Sequence, residues 1–124
     1  MTAPEVVLDE RPDAAVVHVR ADLDAAVAPA LRETLTEAVD RHPYVIVDLS
    51  AVPTLDDVGL GLLVRAHRRA RRRDGIVIFA GPSRFMITVL HTMHLDGLFP
   101  IFDDCPAALA WLRAEHPARA THPA

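Results

Sequence analysis

The chain has 124 residues, 51% of them hydrophobic, and a formal net charge of −4 at pH 7. This length and composition predict one domain with a real core and exclude an intrinsically disordered chain. The negative charge argues against general nucleic-acid binding, the first residues lack the pattern of a secretory signal, and no apolar run approaches the ~20 residues that cross a bilayer.

The amino-terminal third predicts a hairpin and a helix. Two β-like runs, residues 5–8 and 15–19, are joined by turn-forming residues and should pair antiparallel. The helix that follows must have Pro29 in its first turn, because an interior proline would remove a hydrogen bond and clash. We therefore expect it to begin near Val27 or Ala28. Its apolar face comprises Leu31, Leu35, Ala38 and Val39.

Residues 44–61 are the most informative stretch. An unbroken apolar run rich in β-branched residues ends at Asp48, which is typical of a strand buried on both faces. A polar loop then leads to two adjacent carboxylates, Asp56 and Asp57. Asp56 is suited to cap the next helix and Asp57 to lie at the positive end of its dipole. The apolar face predicted for this helix comprises Val58, Leu62, Leu63, Ala66 and Ala70.

This helix is expected to end at Asp74-Gly75, with glycine in its usual position just past a helix end. A second buried run, residues 76–80, follows at once. Strand, helix and strand in so few residues predict a right-handed crossover between parallel strands. Loops beyond the carboxyl ends of such strands are where α/β proteins place their sites, and Asp56 and Asp57 lie in one of them.

The carboxyl-terminal third predicts two more helices around a short strand. Ser83 should cap the first helix and Asp104 the second, with a strand over residues 98–102 between them. Residues 117–124 have no apolar periodicity, so we expect a disordered tail. The side chains predicted to face inward are Met86, Val89 and Leu90, then Leu109 and either Trp111 or Leu112.

Three stretches in order resemble one family. The central stretch VIVDLSAVPTLDDVGLGLLVRAHRRARRR resembles the signature of STAS domains, and specifically of bacterial anti-sigma factor antagonists. VVHVRADLDAAVAPALRETL is similar to the family's second strand and first helix, and LHTMHLDGLFPIFDDCPAALAWL to its last third. The resemblance implies a single STAS domain over residues 1–116. Its fold would be α/β, with a mixed four- to five-stranded sheet and about four helices packed largely on one face.

The chain departs from the family at the position of its switch. The family's phosphorylatable serine falls on Asp57 and the next serine on Val58, whereas Asp56 and Gly59 keep the family's residues. Such proteins bind their anti-sigma factor when the serine is free and release it when the partner phosphorylates it. Asp57 has one charge where phosphoserine carries about −1.5 to −2, so it is a partial, permanent mimic. Either it holds the protein in a weak-binding state, or the partner has coevolved and binding is unregulated.

Two smaller departures concern helix ends. Val27 stands where the family's capping threonine is expected, so the first helix should be less well capped. His94 stands where the family usually has glycine, at a position that suits a left-handed helix end. Thr54 and Ser50 are nearby hydroxyls for which ordinary loop hydrogen bonding is the expected use and phosphorylation the alternative.

The resemblance implies a surface that binds an anti-sigma factor of the ATP-binding serine-kinase type. It would combine loop 53–57, the first turns of the next helix and the Asp22–Asp24 loop. The candidate partner-binding residues are Asp22, Asp24, Thr54, Asp56, Asp57, Val58, Gly59 and Gly61. A homodimer also stays open. Two other functions remain: a STAS subunit of a larger assembly, such as a lipid-transport ABC complex or a multi-STAS scaffold, and a small-molecule sensor.

The other reactive residues do not point to an enzyme. The sequence has no glycine-rich phosphate loop with lysine, no G-x-S-x-G and no HExxH, and we expect no cofactor. His91 and His94 lack further ligands at suitable spacing, so we expect no metal site. Cys105, the single cysteine, fits a reducing cytoplasm and a helix start, where a thiol pKa can fall. The arginine run 65–73 predicts a solvated helix face, with a docking surface for an acidic partner as the alternative.

Overall fold

A computed structural model describes residues 4–115 of the chain. Within this range, five strands and four helices alternate after an initial hairpin. In chain order they are β1 Val6–Glu10, β2 Ala15–Val19, α1 Ala28–Arg41, β3 Tyr44–Asp48, α2 Asp57–Arg72, β4 Ile76–Ala80, α3 Arg84–Thr92, β5 Ile101–Phe102 and α4 Cys105–Glu115. The tail predicted over residues 117–124 lies outside the described residues.

The strands form one mixed sheet in the order β1-β2-β3-β4-β5. β1 and β2 pair antiparallel as the predicted hairpin, and the other neighbours pair parallel. The predicted crossover between β3 and β4 is confirmed, with Val47 opposite Phe79. The α/β architecture and the five-stranded mixed sheet are therefore those expected from the sequence.

Two cores lie on the two faces of the sheet, which explains why β3 is buried along its whole apolar length. Alternate residues of a strand point to opposite faces. Val45 and Val47 belong to the larger core, which α1, α2 and α3 cover. Ile46 belongs to the smaller core with Leu109 and Leu112 of α4. Three of the four helices thus share one face, and α4 alone covers the other.

The apolar face of α2 is confirmed except at its first predicted member. Leu62, Leu63, Ala66 and Ala70 are buried, but the side chain of Val58 is 44% exposed, so that part of the prediction is wrong. Gly59 and Leu60 are buried instead. Because α2 begins at Asp57, Val58 lies in a first turn whose inward position is taken by Gly59.

Helix α2 ends close to the predicted Asp74-Gly75, at Arg72. Asp74, with φ 57°, takes the left-handed conformation just past the helix end. Gly75 is needed for space: a Cβ there would lie 2.6 Å from the carbonyl oxygen of Pro43. The amide of Gly75 closes the helix end by donating to the carbonyl of Ala70 at 2.7 Å.

The last strand is shorter than predicted. Only Ile101 and Phe102 pair with β4, whereas Leu98 and Phe99 lie in a turn. That turn is closed by the Leu98 amide, which donates to the Leu95 carbonyl at 3.0 Å. Phe99 still enters the core, where its ring stacks on Phe79 at 4.1 Å between centroids.

The predicted caps of α3 and α4 are confirmed. Ser83 accepts from the Met86 amide at 3.1 Å, and Asp104 accepts from the Ala107 amide at 2.8 Å. Side chains of the two helices pack as predicted where they meet the sheet. Met86, Leu90, Leu109 and Leu112 are buried, and Val89 and Trp111 are half-buried.

The left-handed residue after α3 gives a stability prediction. His94 has φ 58°, which agrees with the left-handed position at which the family usually has glycine. A residue with a side chain loses about 1 kcal/mol in this left-handed conformation. We therefore expect His94→Gly to raise the free energy of unfolding by about 0.5–1 kcal/mol in urea titrations. Met93→Gly is the matched control, because Met93 is exposed with φ −86°, and it should lower stability by a similar amount. Two changes of the same sign would contradict this account.

Candidate functional site

Two loops that are distant in sequence are joined into one surface at the carboxyl ends of β2 and β3. The amide of Leu23 donates to the carbonyl of Thr54, and the amide of Asp56 donates to the carbonyl of Leu23, both at 2.9 Å. These bonds form an isolated parallel bridge between Leu23 and Leu55. The predicted proximity of the Asp22–Asp24 loop to loop 53–57 is therefore observed in the structure.

Side-chain contacts reinforce this bridge. Thr54 donates its hydroxyl to Asp22 Oδ1 at 2.9 Å, which is the loop hydrogen bonding expected for it. The side chain of Leu23 is fully buried beneath the bridge. The buried side chain of Leu23 therefore attaches the two loops to the core, and the hydrogen bonds between the loops hold their polar residues in place.

Gly59 allows α2 to lie directly on this anchor. A Cβ at this position would lie 2.3 Å from the carbonyl oxygen of Leu23 and 2.6 Å from its Cβ. Real Cβ atoms do not approach backbone so closely, so any larger residue must push the helix off the loop. Gly61, two residues on, has no atom within 4 Å of the corresponding position.

The two adjacent carboxylates of α2 have different uses. Asp56 is the predicted N-cap: its Oδ1 accepts from the amides of Val58 at 2.9 Å and Gly59 at 3.0 Å. Asp57 is the first helical residue, and its exposed side chain borders a shallow depression that includes Leu60, Val64 and Met93. Asp56 is thus occupied with the backbone, whereas Asp57 presents a charge to the outside.

The Asp22–Asp24 loop has a similar structural carboxylate. Asp24 Oδ1 accepts from the amides of Ala26 at 3.0 Å and Val27 at 3.4 Å, so it holds the entry to α1. Val27 is the N-cap of α1 and supplies no side-chain hydrogen bond, as expected from the absence of threonine there. Asp24 replaces part of that missing cap.

The predicted site residues therefore come together but are not equivalent. Gly59 is buried, and Asp24 and Gly61 are half-buried. The exposed members of the loop surface are Asp22, Thr54, Asp56, Asp57 and Val58. Leu23, which the sequence analysis did not single out, organises all of them. Its only sequence signal was an apolar residue between two aspartates.

A second polar network lies at the end of β3, on the face of the sheet that α4 covers. Asp48 Oδ2 lies 2.8 Å from His18 Nδ1, and Asp48 Oδ1 accepts from the Ser50 hydroxyl at 2.7 Å. Burial raises the pKa of Asp48, but the hydrogen bonds from Ser50 and His18 outweigh it and leave that pKa below its usual value. His18 could not be recognised as part of this network from the sequence, because only the strand register brings it opposite Asp48.

Cys105 does not have the activated thiol that a helix start can provide. Burial, and then the negative charge of Asp48, raise the pKa of its thiol to about 11. The thiol is therefore protonated near neutral pH, and it packs as a half-buried side chain against the smaller core. The helix start therefore does not lower the pKa of this thiol.

Residues 4–115 contain neither a cluster of metal ligands nor a membrane-spanning helix. No group of three histidine, cysteine, aspartate or glutamate side chains in this range is arranged to hold a metal ion. His91 instead lies 2.9 Å from Asp96 Oδ2 through its Nδ1. None of the helices in the same range is long and apolar enough to cross a membrane.

The chain resembles known proteins over most of its length. Residues 5–108 match the family described as the STAS domain. Over 119 residues the chain is 31% identical to the anti-sigma-F factor antagonist RsfB of Mycobacterium tuberculosis. The aligned region covers 91% of this chain and 95% of that protein. The chain belongs to the STAS domain family of anti-sigma factor antagonists.

Solved structures agree with this assignment. An anti-sigma factor antagonist from Mycobacterium paratuberculosis is 30% identical, with a TM-score of 0.73 over 91% of this STAS domain and 99% of that chain. The Bacillus cell fate determinant SpoIIAA in its phosphorylated form has a TM-score of 0.68, with 19% identity over 89% of this chain and 99% of that one. At that identity, the second likeness shows the fold alone.

The contact between Gly59 and Leu23 gives a prediction for this STAS domain. Gly59→Ala should lower the free energy of unfolding by about 1–3 kcal/mol, because the new methyl group meets backbone that cannot move aside. Gly61→Ala is the matched control in the same helix. It has open space and should raise stability by about 0.5–1 kcal/mol through helix propensity. Urea unfolding measures both, and stabilisation of the Gly59 variant would show that the helix does not press on Leu23.

Proposed function

We propose that this protein binds an anti-sigma factor of the serine-kinase type through the loop surface, and that no phosphorylation at position 57 regulates this binding. The single observation that supports the proposal most is the exposed Asp57 at the start of α2, held beside the bridged loops. The resemblance of the central stretch to the family signature supports the proposal, since it implies that the family's regulatory serine falls at position 57. The role is regulatory, and it requires no catalysis by this chain.

The geometry is suited to recognition by contact. The loop surface is fixed by backbone hydrogen bonds, so a partner meets it with little loss of conformational entropy. Val58 adds an exposed apolar side chain beside the Asp57 carboxylate. Protein interfaces combine an apolar centre with a polar rim, and Val58 with the surrounding polar side chains can contribute to both.

A permanent charge at position 57 is compatible with the fold. The amino terminus of a helix stabilises a negative side chain by about 0.3–1 kcal/mol when exposed. Asp56 already satisfies the amides of Val58 and Gly59, so Asp57 is not needed as a cap. Asp57 can therefore act on a partner, either as a permanent counterpart of phosphoserine or as a direct contact.

A partner of this type would place the protein in the cytoplasm. The lone, protonated Cys105 fits that reducing compartment. A homodimer stays a separate proposal, tested by measuring the mass of the purified protein in solution.

The experiment measures the affinity of the purified chain for the kinase-type anti-sigma factors encoded in the same genome. We expect wild type to bind one of them, and Asp57→Ser and Asp57→Ala to bind it about tenfold more tightly, as removal of a repulsive charge predicts. With ATP, only the serine variant should become phosphorylated at position 57 and be released. Asp103→Ser, an exposed aspartate on another loop, is the control and should change affinity less than about threefold.

Two other outcomes have distinct meanings. If the three Asp57 forms bind but wild type binds most tightly, Asp57 is a contact residue and the idea of a weak-binding state is wrong. If neither wild type nor any variant binds such an anti-sigma factor, the proposed function itself is wrong.

A further inference from the structure

A basic groove lies between α1 and α2. Its volume is about 340 Å³, and five arginines surround it: Arg32 from α1, and Arg65, Arg68, Arg69 and Arg72 from α2. This concentration of positive charge is unexpected in a chain with a net charge of −4. Arginine in the last turn of a helix is favoured by the dipole, but Arg65 lies in the middle of α2 and gains nothing from it.

Most of this charge is not neutralised within the described chain. Arg69 forms a two-pronged ion pair with Asp40, at 2.6 and 2.9 Å. Among residues 4–115, no acidic side chain pairs with the other four arginines of the groove. Like charges three and four residues apart destabilise a helix by a few tenths of a kcal/mol per pair. The repulsion among these arginines is therefore small but has no compensating ion pair, apart from that of Arg69, among residues 4–115.

The floor of the groove is apolar. Leu35 of α1 and Leu62 and Ala66 of α2 lie at its bottom, each no more than 6% exposed, and the aliphatic stems of the arginines add apolar surface above them. Among residues 4–115, no aromatic side chain lines the groove, so this part of the chain offers the bases of a single-stranded nucleic acid no stacking surface. The combination of an apolar floor and a charged rim instead matches an amphipathic segment of a protein.

The spacing of the arginines specifies the segment further. Arg65, Arg68, Arg69 and Arg72 lie at i, i+3, i+4 and i+7, so the charges extend about 10 Å along α2. A single small anion cannot contact all of them. Carboxylates one and two turns apart on a second helix have the same spacing, and guanidinium groups bind carboxylates through two hydrogen bonds.

We propose that this groove binds an acidic amphipathic helix of a partner protein, with apolar side chains on the floor and carboxylates on the arginines. Arg65 and Arg68 also line the depression beside Asp57, so the groove is continuous with the loop surface. The proposal does not depend on the identity of the protein that binds there. It assigns a use to the arginine run that the loop surface leaves unexplained.

The test uses a synthetic helical peptide as the probe. It carries glutamate at i, i+4, i+7 and i+11 with leucine on the adjoining face, is blocked at both ends, and is labelled for fluorescence anisotropy. One control peptide replaces each glutamate with glutamine, and another replaces each leucine with alanine. We expect the full-length protein to bind the acidic peptide and to show no measurable binding of the glutamine peptide. It should bind the alanine peptide at least about threefold more weakly than the acidic peptide.

Two protein variants with equal net charge locate the site. Arg65→Gln/Arg68→Gln/Arg72→Gln removes three groove arginines, and we expect it to weaken binding about tenfold. Arg20→Gln/Arg71→Gln/Arg84→Gln removes three exposed arginines that do not line the groove, and it should weaken binding less than about threefold. All the substitutions are at exposed positions, and far-ultraviolet circular dichroism checks that both variants are folded.

Three results would overturn the proposal. Equal losses of affinity for the acidic peptide in the two variants would show that the peptide responds to the net charge of the protein and occupies no defined site. No binding of the acidic peptide by wild type at 50 mM salt would show that the groove takes no such helix. Tighter binding of a 12-nucleotide oligouridylate, lost in the groove variant alone, would make the groove a nucleic-acid site instead. None of these results bears on whether the loop surface binds an anti-sigma factor.

Discussion

The backbone pairing of Leu23 with Thr54 and Asp56 is the constraint on which the candidate site depends. Each such hydrogen bond contributes about 0.5–1.5 kcal/mol net, but their effect on geometry is larger than their energy. They fix the loop after β2 against the loop after β3, over a fully buried leucine. Gly59 then brings the start of α2 into contact with the same residue. Without this arrangement, Asp22 would belong to one segment of the chain and Thr54 and Asp57 to another, with no backbone contact between the two.

Helix α2 separates charge along its length in a way that its dipole favours. Asp56 and Asp57 lie at its amino terminus, and Arg69, Arg71 and Arg72 lie in its last turn. Both ends are stabilised by the macrodipole, so two oppositely charged surfaces can share one helix at little cost. This polarity lets one element present an acidic loop surface at one end and a basic groove towards the other.

Local sequence signals predicted much of the fold because they are short-range. Strand and crossover order followed from apolar runs and helical spacing, and the caps Asp56, Ser83 and Asp104 followed from residue type. The prediction that Val58 is buried was wrong because helix periodicity gives only the relative positions of residues around the helix axis. The exact start of the helix decides which residue of its first turn faces inward. The sequence did not show why residue 75 must be glycine, because the reason is a close contact with Pro43, a residue 32 positions away.

The site was only partly accessible from sequence for the same physical reason. The resemblance identified Asp57 and the two loops, but nothing local marked Leu23 as the residue that joins them. Its two backbone hydrogen bonds reach residues about 30 positions along the chain, and backbone partners of that kind leave no pattern in side-chain chemistry. The groove between α1 and α2 was equally hidden, since the arginine run showed its charge but not its apolar floor.

Native-state hydrogen exchange of the Leu23 and Asp56 amides tests the central claim most directly. If the two loops form one fixed surface, both amides should exchange at least about 100-fold more slowly than in an unstructured peptide, and at similar rates because one opening releases both. The exposed amide of Ala25 in the same loop should exchange fast and serves as the internal control. Unprotected exchange at Leu23 and Asp56, with the β2 and β3 amides still protected, would mean that the loops move independently and would contradict the account.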